Sequence, residues 1–197
     1  MKNVMKFGLA LAMIFSVATV QAGNDFSVNA KEGMGKVISF TINDTKSVHV
    51  SIYNTDGVVI FDETPKGKDG KISRTYDLTA FPDGTYFLET ETGAKVARHT
   101  ITLSGKSAKV EEKTVAEIYK PVLVNKNGLV TVSILNAEKS PIQIKMYDDN
   151  NNEVYSETVT GELSLAKKFD INKTSAKNFT FVMTYNNKTF VETVATR

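Results

Sequence analysis

The sequence predicts an all-β protein: two tandem immunoglobulin/fibronectin-like antiparallel β-sandwich modules following a cleaved signal peptide. Three observations predict it. Apolar residues alternate with polar ones in short runs, turn signals rich in Gly and Asn separate the runs, and the whole pattern occurs twice, 94 positions apart at its clearest point.

The N-terminus reads as an export signal. Lys2 and Lys6 form a basic start, Phe7 to Val20 is an uncharged apolar run, and Val20-Gln21-Ala22 gives a small-x-small cleavage pattern. Residues 1–22 are therefore predicted to be removed, with the mature chain starting near Gly23. The run is short for a membrane span of roughly 20 residues, so no stable membrane anchor is expected after cleavage. The protein is expected to be exported, periplasmic or secreted to the cell surface. The chain has 24 Lys+Arg and 22 Asp+Glu, and the loss of Lys2 and Lys6 leaves 22 of each. A neutral mature chain argues against a nucleic-acid partner. With no cysteine, disulfides, thiolate metal sites, a Cys nucleophile and lipid attachment at cysteine are all excluded.

Period-two alternation carries the strand assignments. Ile38, Phe40 and Ile42 alternate with Ser39 and Thr41, and Val48, Val50 and Ile52 alternate with His49 and Ser51. Such a row places one set of side chains on a buried face and the other towards water. Asn54-Thr55-Asp56-Gly57 is a tight hairpin signal, because Gly57 adopts positive φ without a Cβ penalty. Lys66 to Gly70, Pro82-Asp83-Gly84 and Asn186-Asn187 mark further turns. Short strands at this spacing predict two packed sheets per module, with a closed barrel as the alternative. The predicted organisation is module 1 over residues 24–104, a linker and lead-in over 105–119, and module 2 over 120–197. The polar string Ser104 to Lys109 is the predicted connector, and Thr114 to Tyr119 reads as a helical turn or a strand lead-in.

The repeat is specific. Val48 to Tyr53 lines up with Ile142 to Tyr147, and Asn54 to Thr64 with Asp148 to Thr158. Tyr76-Asp77-Leu78 matches Phe169-Asp170-Ile171, Thr85 to Leu88 matches Thr180 to Met183, and Ile38, Phe40 and Ile42 match Val130, Val132 and Ile134. Two copies at this period indicate duplicated domains rather than a solenoid, which needs three or more short repeats.

The stretch Val48 to Val59, then Tyr76-Asp77-Leu78, then Phe81-Pro82-Asp83-Gly84-Thr85-Tyr86-Phe87-Leu88, resembles the C-terminal sorting module of type IX secretion cargo in Bacteroidota. The resemblance runs over Val48–Leu103. It places Asp56, Gly57, Leu78, Pro82, Gly84, Tyr86 and Phe87 at the family's motif positions, as structural residues. It implies a β-sandwich with no catalytic role, and a standalone two-module flavobacterial relative. In the second copy Lys177-Asn178-Phe179 stands in place of Pro-x-Gly.

The search for chemistry returns little. The two histidines, His49 and His99, lie on strands, His49 in the outward phase and His99 in phase with Ala97, Ile101 and Leu103. Two histidines without cysteine do not make a structural zinc site, and no His-Glu-x-x-His or Gly-x-Ser-x-Gly occurs. Gly105-Lys106-Ser107 lacks the upstream glycine and the following helix of a phosphate loop. No catalytic residue and no cofactor is predicted. The oxygen-rich run Asp148, Asp149, Asn150 and Asn152 is the candidate calcium loop, although its spacing departs from the EF-hand pattern. Its alignment with Asn54 to Gly57 also reads it as a plain hairpin. Aromatic side chains such as Tyr53 and Tyr147 leave a carbohydrate-binding surface open. The leading expectation is a non-enzymatic binding or structural module with an envelope or extracellular protein as partner. The alternatives are a sorting element for an outer-membrane secretion machine, a carbohydrate- or calcium-binding module, and a hydrolase with an unrecognised site.

Overall fold

The structure, a computed structural model, describes residues 26–31, 33–43, 45–111, 114–172 and 174–196. The predicted signal segment 1–22 lies outside the described residues. Among those described, the chain is all-β, with no helix. In chain order the strands are β1 (Phe26–Ala30), β2 (Val37–Ile42), β3 (His49–Asn54), β4 (Val59–Glu63), β5 (Ile72–Asp77), β6 (Gly84–Glu91), β7 (Lys95–Ser104) and β8 (Ser107–Val110). There follow β9 (Ala116–Tyr119), β10 (Val122–Lys126), β11 (Leu129–Leu135), β12 (Ile142–Tyr147), β13 (Glu153–Val159), β14 (Ser164–Asp170), β15 (Asn178–Tyr185) and β16 (Lys188–Ala195).

Two sandwiches result. In the first, the sheet β1-β2-β5 faces the sheet β4-β3-β6-β7-β8. In the second, β10-β11-β14 faces β13-β12-β15-β16. Every ladder is antiparallel, as hairpin-connected strands with one wet face favour. The alternating residues form the cores as predicted. Ile38, Phe40, Ile42, Val48, Val50 and Ile52 are buried with Leu88, Ile101 and Leu103 in the first. Val130, Val132, Ile134, Ile142 and Ile144 are buried with Phe181 and Met183 in the second. Each such side chain contributes about 1.5–3 kcal/mol of burial, which is why the alternation fixes which face turns inward.

Two expectations change. The polar string after Ser104 is not a connector but a β-hairpin: β8 pairs with the C-terminal half of β7, and Ala108 and Val110 pack against the first core. β7 is ten residues long, so its N-terminal half has an edge to spare, and β9 fills it. Of the two readings of Thr114 to Tyr119, the strand is the one that forms, over Ala116–Tyr119, and no helical turn does. The second change concerns the repeat. In the ladders, Ile52 pairs with Leu88 and Met146 with Phe181, so Leu88 corresponds to Phe181 and Tyr86 to Phe179. The alignment of Thr85–Leu88 with Thr180–Met183 is therefore displaced by two residues. A one-residue slip would turn the strand inside out, but a two-residue slip keeps every side chain on its face and leaves no trace in hydrophobic pattern.

The sandwiches are joined by more than the chain. Val96 of β7 and Ile118 of β9 belong to the second core. The Tyr185 hydroxyl donates to the Tyr119 carbonyl. Glu89, 5% exposed, accepts from Arg98 of its own sandwich at 2.7 Å and from Lys188 of the other at 2.6 Å. Burial raises the Glu89 carboxyl, yet the Lys188 and Arg98 hydrogen bonds outweigh it and hold the group below its ordinary value.

Candidate functional site

The motif residues gather at one end of the first sandwich, where the β1–β2, β3–β4, β5–β6 and β7–β8 connections meet. Leu78 is buried, and its N–H donates to the Lys36 carbonyl at 2.8 Å. The chain turns back through Phe81, whose N–H donates to Leu78 at 2.9 Å. The Tyr86 hydroxyl then donates to the Pro82 carbonyl at 2.9 Å, with its ring 5.7 Å from that of Phe81. The spacing Leu-x-x-Phe-Pro-x-Gly-x-Tyr is thus a corner tied by one phenol. Asp56 and Gly57 lie at the same end in the β3–β4 turn. Phe87, one residue beyond Tyr86, points to the opposite face of its sheet, where the Arg98 guanidinium sits 5.7 Å from its ring and 5.8 Å from that of Tyr53.

The central residue of the corner is one that sequence reasoning missed. Lys36 is 8% exposed. Its ammonium donates to the Phe81 carbonyl at 2.8 Å and pairs with Asp83 at 2.8 Å. The other Asp83 oxygen accepts the Gly105 N–H at 2.7 Å. A buried ammonium is tolerable only when its donors are met, and here it ties three loops together. Lys36 first, and Gly105 second, hold the Asp83 carboxyl below the usual carboxylate range. A signal did exist: Lys36 continues the inward phase of Ile38, Phe40 and Ile42.

The second sandwich lacks this network. There the Ile171 N–H donates to the Gly128 carbonyl at 2.8 Å, the same bond that Leu78 makes to Lys36. Gly128 thus stands where Lys36 stands. The ladder places Ser175-Ala176-Lys177, rather than Lys177-Asn178-Phe179, opposite Pro82-Asp83-Gly84. No carboxylate occupies the Asp83 position.

The candidate calcium residues form the hairpin that the alignment allowed. One Asp148 oxygen accepts the N–H groups of Asn150 and Asn152, both at 2.9 Å, and the other accepts the Asn152 side-chain amide at 2.9 Å. Asn54 does the same for Asp56 at 3.0 Å and Val58 at 2.9 Å. Gly57 and Asn151 take the matching left-handed conformations, φ 77° and 61°. Asp149 accepts the Lys177 N–H at 3.1 Å. The Asn152 bonds hold the Asp148 carboxyl below its usual value. Among the described residues, no group of three or more His, Asp or Glu side chains could hold a metal ion.

His49, Ser51 and Asp62 meet on β3 and β4, a combination that invites comparison with a nucleophilic triad. Its geometry differs. Asp62 lies 3.0 Å and Ser51 3.2 Å from the same ring nitrogen, Nε2, while Nδ1 faces Thr64 at 3.0 Å. A nitrogen donating its proton to Asp62 cannot also accept one from Ser51, and a relay needs the two roles on opposite nitrogens. His99 is buried and stacked 4.7 Å from Phe26. Neither of its ring nitrogens has a hydrogen-bond partner within normal reach, and burial holds the imidazole below its usual value.

Residues 35–104 match the family model of the secretion system C-terminal sorting domain. The matched region opens one residue before Lys36 and closes one residue before Gly105, so it takes in Lys36 and Leu78 to Tyr86, Asp83 among them, and leaves Gly105 just beyond it. No curated protein matches the chain. Solved structures with similarity include a biofilm-associated protein BSP domain, 18% identical over 82% of this chain and 27% of that one, TM-score 0.27. A two-domain fibronectin type III segment of chicken tenascin is 7% identical over 86% and 97%, TM-score 0.29. Trypsin-activated alpha-2-macroglobulin from Escherichia coli is 8% identical over 89% and 16%, TM-score 0.28. The chain spans about a quarter of the length of the first of these.

Proposed function

We propose that the mature chain is an exported, non-enzymatic β-sandwich protein whose first module, residues 24–104 together with the β8 hairpin that packs on its core, is a sorting element for an outer-membrane secretion machine. The second module, residues 120–197, is a diverged copy that serves as a binding or structural unit in the envelope or outside the cell. One observation carries this reading. The buried Lys36 and its partners Phe81 and Asp83 lie within the sorting-domain match, and the position equivalent to Lys36 in the second sandwich is Gly128. A surface that must be read by a large machine needs a fixed loop constellation, and a buried ammonium held by a carbonyl and a carboxylate of a neighbouring loop helps to fix one.

The test is delivery. A reporter fused ahead of residues 24–197, expressed behind a signal peptide in a bacterium that carries the machine, becomes accessible to external protease. A reporter that stays protected inside the outer membrane defeats the proposal.

A further inference from the structure

The second sandwich leaves open a strand position that the first one fills. On β7 the outer edge is taken twice, by β8 along Ile101–Ser104 and by β9 along Lys95–Arg98. On the same edge the Arg98 carbonyl accepts the Val115 N–H at 2.8 Å, and the Thr100 carbonyl accepts the Glu111 N–H at 3.0 Å. The strand equivalent to β7 is β16. Leu88 pairs with His99 and Phe181 with Glu192, so Glu192 stands at the His99 point, Val191 at Arg98, Thr193 at Thr100 and Val194 at Ile101. Among the described residues, β16 pairs with β15 alone. On its outer side the Ala195 carbonyl accepts the Asn125 side-chain amide at 3.0 Å, one side-chain N–H where β7 meets a whole strand. The seam is correspondingly wet. His99 and Ile101 are buried, whereas Val194 is half-buried and Glu192 exposed.

An uncovered edge is a template for another chain, and the inward row of β16 selects which. Phe190 and Val194 of that row pack against the second core. Glu192 lies between them with no ion pair among the described residues. A second copy of β16 is a poor occupant. Centred on the carboxylate, antiparallel pairing sets Glu192 against Glu192. Moved one step either way, it sets Glu192 against Phe190 or Val194. Inward charges of this kind keep edges from pairing with themselves. Lys188, in the same row, is already held by Glu89 at 2.6 Å. A strand with a base opposite Glu192 gains a cross-strand charge pair instead. The first sandwich supplies the rest of the pattern: Ala108 pairs with Leu103, Val110 pairs with Ile101, and both pack on the core.

We propose that the outer edge of β16 takes an added antiparallel strand from a partner protein, of the pattern small-x-aliphatic-x-basic, with the aliphatic residue facing Val194 and the base facing Glu192. This rests on the binding role of the second module alone: reporter delivery tests the first module, and strand binding tests this edge.

The experiment is amide hydrogen exchange by NMR on the mature chain, residues 23–197, with the end-blocked peptide Ser-Ala-Lys-Val-Thr-Lys-Thr-Val added up to about 1 mM. The expected result is slower exchange at the Val191 and Thr193 amides. Glu192→Lys weakens binding by about fivefold or more, since an attractive cross-strand pair becomes a repulsive one. Replacing the second lysine of the peptide by glutamate restores binding to that variant. Thr193→Pro, which an edge strand tolerates, removes an N–H that the added strand needs and abolishes binding. Glu192 and Thr193 are both exposed, and circular dichroism checks that each variant is folded. Unchanged exchange in the folded chain, binding indifferent to Glu192→Lys, or protection of the same amides that rises with protein concentration in the absence of peptide overturns the proposal.

Discussion

Tyr76 and Tyr155 bond equivalent glutamates from opposite rings of the same aromatic pair. In the first sandwich the Tyr76 hydroxyl donates to Glu63, and its ring meets Phe61 edge-on at 4.9 Å. In the second the hydroxyl has moved to the other partner: Tyr155 donates to Glu157 and meets Phe169 edge-on at 5.0 Å. The pair closes the mouth between the two sheets in both cases, and in the second Lys167 joins the same carboxylate. Burial first, and the Glu63 contact second, raise the Tyr76 phenol well above its ordinary value. The prediction is an exchange experiment. Tyr76→Phe costs about 1–2 kcal/mol, since a buried bond to a charged acceptor is lost. Phe61→Tyr combined with Tyr76→Phe, which copies the second sandwich into the first, recovers most of that loss. Urea unfolding of the three proteins measures both.

The fold was legible where period two met a fixed turn. Val48, Val50 and Ile52 ending in Asn54–Gly57 could be read directly, because both the buried row and the left-handed residue are local properties. The position of Phe181 against Leu88 could not, since a two-residue shift alters no burial. The strand β8 was concealed by its polar sequence, because only β7 in three dimensions supplies a ladder for Ser107–Val110. In the site, the phenol of Tyr86 and the corner around Pro82 were visible as a motif. Lys36 was not, because a lysine reads as a surface residue until Phe81 and Asp83 are placed around it. Asp148 was readable as either a calcium ligand or a turn cap, and the N–H groups of Asn150 and Asn152 on its carboxylate give the turn.

The Glu89 clamp gives an acid dependence. Its carboxyl is held below the 4.5 of the free group, so the folded state binds fewer protons than the unfolded state in that range. The stabilisation is complete above about 4.5 and is lost as pH falls through the depressed value. Lys188→Met removes one partner, shifts that loss to higher pH and loosens the sandwiches from each other. Amide hydrogen exchange in β9 and β16, followed between pH 7 and pH 4, reports it as faster exchange in the variant.

His99 predicts a dependence in a higher window. Burial lowers its imidazole below the ordinary 6.5, so the unfolded chain takes up a proton before the folded one. Stability falls as pH drops below 6.5 and levels off below the depressed value. His99→Leu keeps an apolar group against Phe26 and flattens that part of the curve. Thermal unfolding midpoints of both proteins from pH 8 to pH 5 show it; parallel curves contradict the assignment.

The matched hairpins predict an asymmetric tolerance. Asp148→Asn leaves the unfolding midpoint unchanged, because Asn54 already performs the same capping in the first sandwich. Asp148→Ala lowers it, and Asn54→Ala costs about 1 kcal/mol for the same reason. Calorimetric titration with calcium gives no heat that depends on Asp148 if that carboxylate serves only the turn.

The sorting proposal rests on a corner that one ammonium holds in shape. Its most direct measurement is the fraction of reporter reaching the cell surface when the fused chain carries Lys36→Met, compared with the unaltered chain and with Asp148→Asn as a change in the second sandwich that keeps its turn capped. Lys36→Met, still folded by circular dichroism, is predicted to leave the reporter behind the outer membrane, while Asp148→Asn is delivered. Equal delivery of folded Lys36→Met and the unaltered chain would contradict it.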